Sequence, residues 1–156
     1  MNREKSNALY KQAQALIPGG VNSPVRAFRA VGGEPPFIAR GKGAHLWDED
    51  GNRYVDLSGG FGVAATGHRN RRVMQALRRQ IGRLPHGMGD VQPPSLKVKL
   101  LEALASVSPI PDPRITLGCS GAEVVEIALK TVRLATGKPG VIAFGGAYHG
   151  LTYGAL

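Results

Sequence analysis

Apolar positions along the chain recur with two different periods, and the change of period divides it into regions. Val125, Leu129 and Val132 fall at i, i+4 and i+7, with Glu123, Glu126, Lys130 and Arg133 on the polar stripe. That spacing predicts an amphipathic helix with acids leading and bases trailing, the order that suits the helix dipole. Small residues at Ser120 and Gly121 open the segment, and Gly137-Lys138-Pro139-Gly140 breaks it. Short apolar runs at 115–117 and 141–144 flank it and read as buried strands, so 114–150 predicts a βαβ unit. Upstream, Val73, Leu77 and Ile81 recur at i, i+4 and i+8, and Leu96, Leu100, Leu104 and Val107 form a second stripe behind Pro93-Pro94. Both patterns predict helices with one buried side. Residues 6–16 predict a short first helix, with Ser6 as its N-cap and Ile17-Pro18-Gly19-Gly20 as its stop. Residues 37–40, 44–48 and 54–57 read as three short strands turned by Gly41-Lys42-Gly43 and Asp50-Gly51, an antiparallel meander. The fold class is α/β: an N-terminal helix and a small antiparallel meander, then a strand–helix–strand region.

The junction at Gly118-Cys119-Ser120-Gly121-Ala122 carries the clearest chemistry. A helix N-terminus offers unpaired N–H groups and the positive end of the dipole, and small residues let a phosphate oxygen approach the backbone. Two other readings of Ser120 stay open. It serves as a plain N-cap, or it is a nucleophile near the Gly-x-Ser-x-Gly pattern of serine hydrolases, with His149 as its base. The run at 141–144 ends in a glycine turn bearing Tyr148 and His149, an aromatic and an imidazole at the same presumed edge. Residues 21–28 are too rich in turn formers for a helix. Arg26 there, between apolar neighbours, is a candidate carboxylate clamp, since guanidinium grips a carboxylate through two parallel hydrogen bonds. Ser58-Gly59-Gly60-Phe61-Gly62 is an apolar loop in which backbone or the aromatic approaches a ligand.

Composition narrows the partners. With 156 residues, 42% hydrophobic and 20% charged, the chain has the makeup of a soluble globular protein. The net charge of +9 raises a nucleic-acid reading, because Arg69, Arg71, Arg72, Arg78, Arg79 and Arg83 crowd one predicted helix. No aromatic interleaves with them, and a solvated basic face is the favoured account. The four histidines lack metal-ligand spacing, so no metal is expected. A single cysteine, Cys119, excludes an internal disulfide and fits a reducing cytoplasm. Neither a signal peptide nor a membrane-spanning apolar run is present in the sequence.

Taken together, Asp48-Glu49-Asp50-Gly51, Tyr54-Val55-Asp56, Gly67-His68, Ser120-Gly121-Ala122-Glu123 and Tyr148-His149-Gly150 resemble the class III aminotransferases, pyridoxal-phosphate (PLP) enzymes of fold type I. The run from Ile17 through Phe28 is similar to one branch, the glutamate-1-semialdehyde aminomutases. The resemblance implies that Ser120, Gly121 and Ala122 bind the cofactor phosphate. It implies too that Tyr148 stacks on the pyridine ring with His149 beside it. Arg26, with Ser23 and Val25, would hold the substrate carboxylate. Phe61 stands where aminomutases carry a tryptophan, closer to general ω-aminotransferases, so the substrate is an amino acid, an amine or a semialdehyde. Family members are considerably longer, and their Schiff-base lysine and pyridine-pairing aspartate lie downstream. Lys97, Lys99, Lys130 and Lys138 match neither position, so the chain supplies no catalytic residue and alone is expected to be inactive. It resembles a truncated N-terminal portion: a segment at 1–62, then the beginning of the PLP-binding large domain at 63–156. The complete enzyme would be a cytoplasmic homodimer, and the fragment would expose apolar surface.

Overall fold

The computed structural model describes residues 1–23, 28, 32–89 and 91–156. They form two units, Met1–His86 and Gly87–Leu156.

In Met1–His86, helix α1 (Glu4–Leu16) ends in a single 3-10 turn at Pro18–Gly20. Gly19 and Gly20 take φ of 72° and 74° there, and a Cβ on Gly20 would stand 2.5 Å from the Tyr10 ring. Three strands follow, β1 (Ile38–Lys42), β2 (His45–Asp48) and β3 (Arg53–Val55), in an antiparallel sheet of that order. Lys42 pairs with His45, so the first turn is the two-residue loop Gly43-Ala44. The second turn contains Asp50-Gly51, with Gly51 at φ 85°. Helix α2 (Arg71–Ile81) starts at an Asn70 cap, whose side chain accepts from the N–H groups of Arg72 and Val73.

Ser6 is not the N-cap expected of it. Arg3 holds that position with no side-chain cap bond, and Ser6 is buried inside the helix. The cap comes from the hairpin: the Asp50 carboxylate accepts from Lys5 N at 2.8 Å and Ser6 N at 2.9 Å. A carboxylate at this end satisfies two orphan donors and meets the positive end of the dipole. The Ser6 hydroxyl accepts instead from Phe37 N at 3.3 Å, tying the helix to the chain entering β1.

Asp48, 3% exposed, closes the second turn. It accepts from Asn52 N at 2.7 Å, Asn52 Nδ2 at 2.8 Å and the Tyr54 hydroxyl at 2.7 Å. Burial works to raise its pKa, but these bonds outweigh burial and hold the carboxyl below its usual value. Asp50 behaves alike: desolvation raises it, and the bonds from Ser6 and Lys5 bring it down further.

Gly87–Leu156 holds helix α3 (Ser95–Val107) and helix α4 (Gly121–Thr136). Helix α4 ends as its sequence predicts, with Gly137 left-handed at φ 68° and its N–H donating to Arg133 O. The expected strands at 115–117 and 141–144 are not strands here. Both segments lie outside any sheet, because a strand exists only through a paired neighbour and neither finds one among the described residues. The predicted buried faces are likewise uncovered. Leu77 is 48% exposed, Val107 78% and Ile142 97%. Periodicity sets which side of a helix is apolar, not what packs on it. No helix among the described residues is long and apolar enough to cross a membrane.

Asp48 and Asp50 set the acid response of Met1–His86. Their folded pKa values lie below the unfolded value near 3.8. Their stabilisation is therefore complete above that value and disappears as pH falls through the folded one. Fluorescence of the sole tryptophan, Trp47 on β2, should stay constant from neutrality to about pH 5 and change below about pH 4. In Asp50→Asn the change should be shallower, with less helix at neutral pH by circular dichroism.

Candidate functional site

Ser120 is extended (φ −146°, ψ 160°) and its Oγ accepts from Glu123 N at 3.1 Å, which establishes the capping role. Glu123 reaches back to accept from Cys119 N at 2.5 Å. This is a variant of the Ser-x-x-Glu capping box in which the back-bond goes to the residue before the cap, and the serine cap is worth about 1 kcal/mol. The N–H groups of Gly121 and Ala122 are left without a hydrogen bond among the described residues. The Glu123 carboxylate lies against Gly118, where a Cβ would stand 3.2 Å from Oε2 and 2.7 Å from Val124 Cγ1. At Gly121 nothing stands within 4 Å of a Cβ position. The acid is thus held at Gly118 and Cys119, and the space at the Cβ position of Gly121 is open.

The chain returns to this helix start at 150–155. Gly150 has φ 145°, and a Cβ on it would stand 2.6 Å from Ala122 Cβ, so only glycine permits the approach. Thr152 Oγ1 donates to Ala122 O at 3.5 Å, and Gly154 N donates to Glu126 Oε1 at 2.5 Å. The bond from Gly154 leads, and the Thr152 hydroxyl beside the carboxylate adds, in holding the Glu126 carboxyl below its usual pKa. Ala155, 6% exposed, packs beneath Gly150. Tyr148 and His149 directly precede the docked glycine, with Tyr148 59% exposed. The structure therefore brings Ser120, Gly121 and Ala122 together with the segment bearing Tyr148 and His149.

The other candidates lie in Met1–His86. Ser23 is half-buried beyond the Pro18–Gly20 turn, while Val25 and Arg26 lie outside the described residues. Phe61 is 81% exposed and takes φ 57° among Gly59, Gly60 and Gly62 at φ 54°, 60° and 92°. A bulky residue in that region carries strain of about 1–3 kcal/mol, so the surroundings must impose it. Asp56 does so. Its Oδ1 accepts from Ser58 N (3.2 Å), Ser58 Oγ (3.0 Å) and Gly59 N (2.9 Å), while Oδ2 lies 2.7 Å from His68 Nε2. The His68 contact leads in holding the Asp56 carboxyl below its usual pKa.

Sequence reasoning missed Glu126 and Thr152 as the ties of the returning segment, and nothing local signals a partner 28 or 30 residues away. The Glu123 back-bond was legible in the Ser-x-x-Glu spacing. For the nucleophile reading, no hydrogen bond joins Ser120 Oγ to His149 among the described residues. Nor do three acidic, histidine or cysteine side chains gather there where they could hold a metal.

The Gly150–Ala122 contact yields a test. Gly150→Ala should lose roughly 1–3 kcal/mol in urea denaturation, because the added methyl overlaps Ala122 and the backbone is left-handed. Hydrogen exchange at Gly154 N–H should rise with it, since that bond depends on the docked segment.

Known proteins match this chain over most of its length. The sequence model of the class III aminotransferases matches residues 28–156. A glutamate-1-semialdehyde 2,1-aminomutase of Syntrophobacter fumaroxidans is 41% identical over 150 residues, which are 96% of this chain and 34% of that protein. Among solved structures, a transaminase with PLP bound superposes with TM-score 0.86 at 29% identity, over 97% of this chain and 34% of that one. An ω-transaminase from Sphaerobacter thermophilus gives TM-score 0.83 at 30% identity, over 95% and 32%. The chain spans about a third of the length of these relatives. On the match of its residues 28–156, it belongs to the class III aminotransferases.

Proposed function

We propose that this chain is the N-terminal portion of a PLP-dependent class III aminotransferase or aminomutase, with residues 63–156 beginning its cofactor-binding domain. One observation carries the site reading: Gly150 seats the Tyr148-His149 segment against Ala122, beside two uncommitted N–H donors and an open Gly121. The residues fit a phosphorylated planar cofactor. Gly121 and Ala122 donate to phosphate oxygens at the positive end of a 16-residue helix, and the Ser120 hydroxyl adds a donor. The Glu123 carboxylate is held at Gly118 by the Cys119 N–H, and nothing crowds the Cβ position of Gly121. Tyr148 supplies an aromatic face for the ring, with His149 beside it.

When bound, PLP supplies the aldehyde and the electron-withdrawing ring that accept an amino group from the donor. This chain's part is to bind and orient. Ser120, Gly121 and Ala122 fix the phosphate, Tyr148 and His149 fix the ring plane, and Arg26 with Ser23 and Val25 grips a substrate carboxylate. Phe61 borders the substrate side chain. The substrate is a small amino acid or semialdehyde. The run from Ile17 through Phe28 and the aminomutase relative favour a semialdehyde, and Phe61 favours a broader amine range. The proton-moving lysine and the ring-pairing aspartate belong to the remaining length of the family. A cytoplasmic homodimer is proposed for the complete enzyme. The single cysteine fits a reducing compartment, and the uncovered apolar residues of α2 and α3 supply surface for association.

Two measurements test this. Sequencing the gene past codon 156 should reveal an in-frame or adjacent segment supplying lysine and aspartate in family order. In the protein assembled with that segment, Gly121→Asp should raise the dissociation constant for PLP about tenfold or more in an absorbance titration, because it sets a carboxylate at the phosphate seat. Pyridoxal, which lacks the phosphate, should bind both proteins equally. An unchanged affinity for PLP in Gly121→Asp would place the phosphate elsewhere.

A further inference from the structure

Asp56 and His68 join three stretches of Met1–His86 around a cavity of about 360 Å³ lined by Gly43, Asp56, Ser58, Gly59, Gly62 and His68 among others. Both partners are anchored to the sheet. Asp56 N donates to Ala44 O at 2.9 Å, and His68 exchanges backbone bonds with Gly43 at 2.8 and 2.9 Å. The His68 ring is packed on β1, its Cγ 2.7 Å from where a Cβ on Gly41 would stand. The ring therefore has a fixed place, and from it Nε2 meets Asp56 Oδ2. The other oxygen, Oδ1, collects Ser58 and Gly59, the first residues of the left-handed turn that contains Phe61.

We propose that Asp56, fixed by His68, is a positioning residue: it holds the turn at 59–62 in the conformation that presents Phe61, and so sets how the donor side chain fits. The proposal rests on the reading of Phe61 as substrate-facing. Residues in the turn have small or no side chains apart from Phe61, so they cannot hold it by packing. The turn's own bonds, Phe61 N to Ser58 O at 2.9 Å and Ala64 N to Gly59 O at 2.8 Å, form only if Ser58 and Gly59 stay where Asp56 puts them. Gly41 belongs to the same device, because its missing side chain makes room for the ring.

The test uses Asp56→Ala, Asp56→Asn and Gly41→Ala. Gly41→Ala displaces the ring without touching Asp56, so it serves even if Asp56→Ala does not fold. Hydrogen exchange in the chain should rise about tenfold at the amides of Phe61 and Ala64 in Asp56→Ala and Gly41→Ala, while the Trp47 and Tyr54 amides hold. Asp56→Asn keeps an oxygen for Ser58 and Gly59 and should stay within about threefold of wild type. In the assembled enzyme the first two variants should raise the amino-donor KM about tenfold, with kcat changed less than about threefold and PLP affinity unchanged. A role in folding alone would lower the yield of active enzyme and leave KM as it was. Unchanged exchange overturns the proposal, as does raised exchange with unchanged KM. If wild-type enzyme binds no PLP, the function reading falls and the substrate half of this proposal with it. The exchange data then still decide whether Asp56 orders the turn.

Discussion

Backbone N–H groups left unpaired at helix starts and turns favour an acceptor, and at several points in this chain a carboxylate provides it, from close by or from far along the sequence. Asp50 takes two from the start of α1, Asp48 takes Asn52, Asp56 takes Ser58 and Gly59, and Glu126 takes Gly154. Aliphatic packing contributes little by comparison. Among the described aliphatic and aromatic residues, proline aside, only Ala155 is buried outright. Charged acceptors make stronger and more directional bonds than neutral ones, so a few of them fix turn geometry where a core is thin. The lowered carboxyl pKa values are the same fact seen as proton affinity.

Glycine does the complementary work. Where a neighbouring residue must lie close against the backbone, a side chain is absent: Gly150 on Ala122, Gly41 under His68, Gly118 beside Glu123 and Val124. Each contact places something of chemical interest, the Tyr148-His149 segment, the partner of Asp56, or the acid at the start of α4. The high glycine content thus buys close approaches at a few defined points.

Legibility in the sequence followed the range of the forces involved. The bounds of α4 were readable because Ser120 and Gly137 act within one turn of themselves. The meander was readable because Asp50-Gly51 bends the chain locally between short runs of strand-forming residues. The N-cap of α1 was misread because Ser6 has the right chemistry but the acceptor came from 44 residues away. The runs at 115–117 and 141–144 have strand composition, yet strand formation depends on a neighbour that composition does not provide. At the candidate site, the small residues at 120–122 announced a helix start able to take an anion. The seating of Gly150 on it needed coordinates. The family motifs named Asp56 and His68 separately, and only the 2.7 Å contact makes them one unit.

The remote cap on α1 has a consequence for synthesis. A 13-residue helix is marginal by itself in water, and this one leaves the ribosome long before the carboxylate that satisfies its first turn. Until the hairpin closes, the amides of Lys5 and Ser6 have only water to bond, and the segment stays frayed. Helix α1 is therefore completed after the hairpin that follows it, and the nascent segment remains open to proteases or chaperones for that interval.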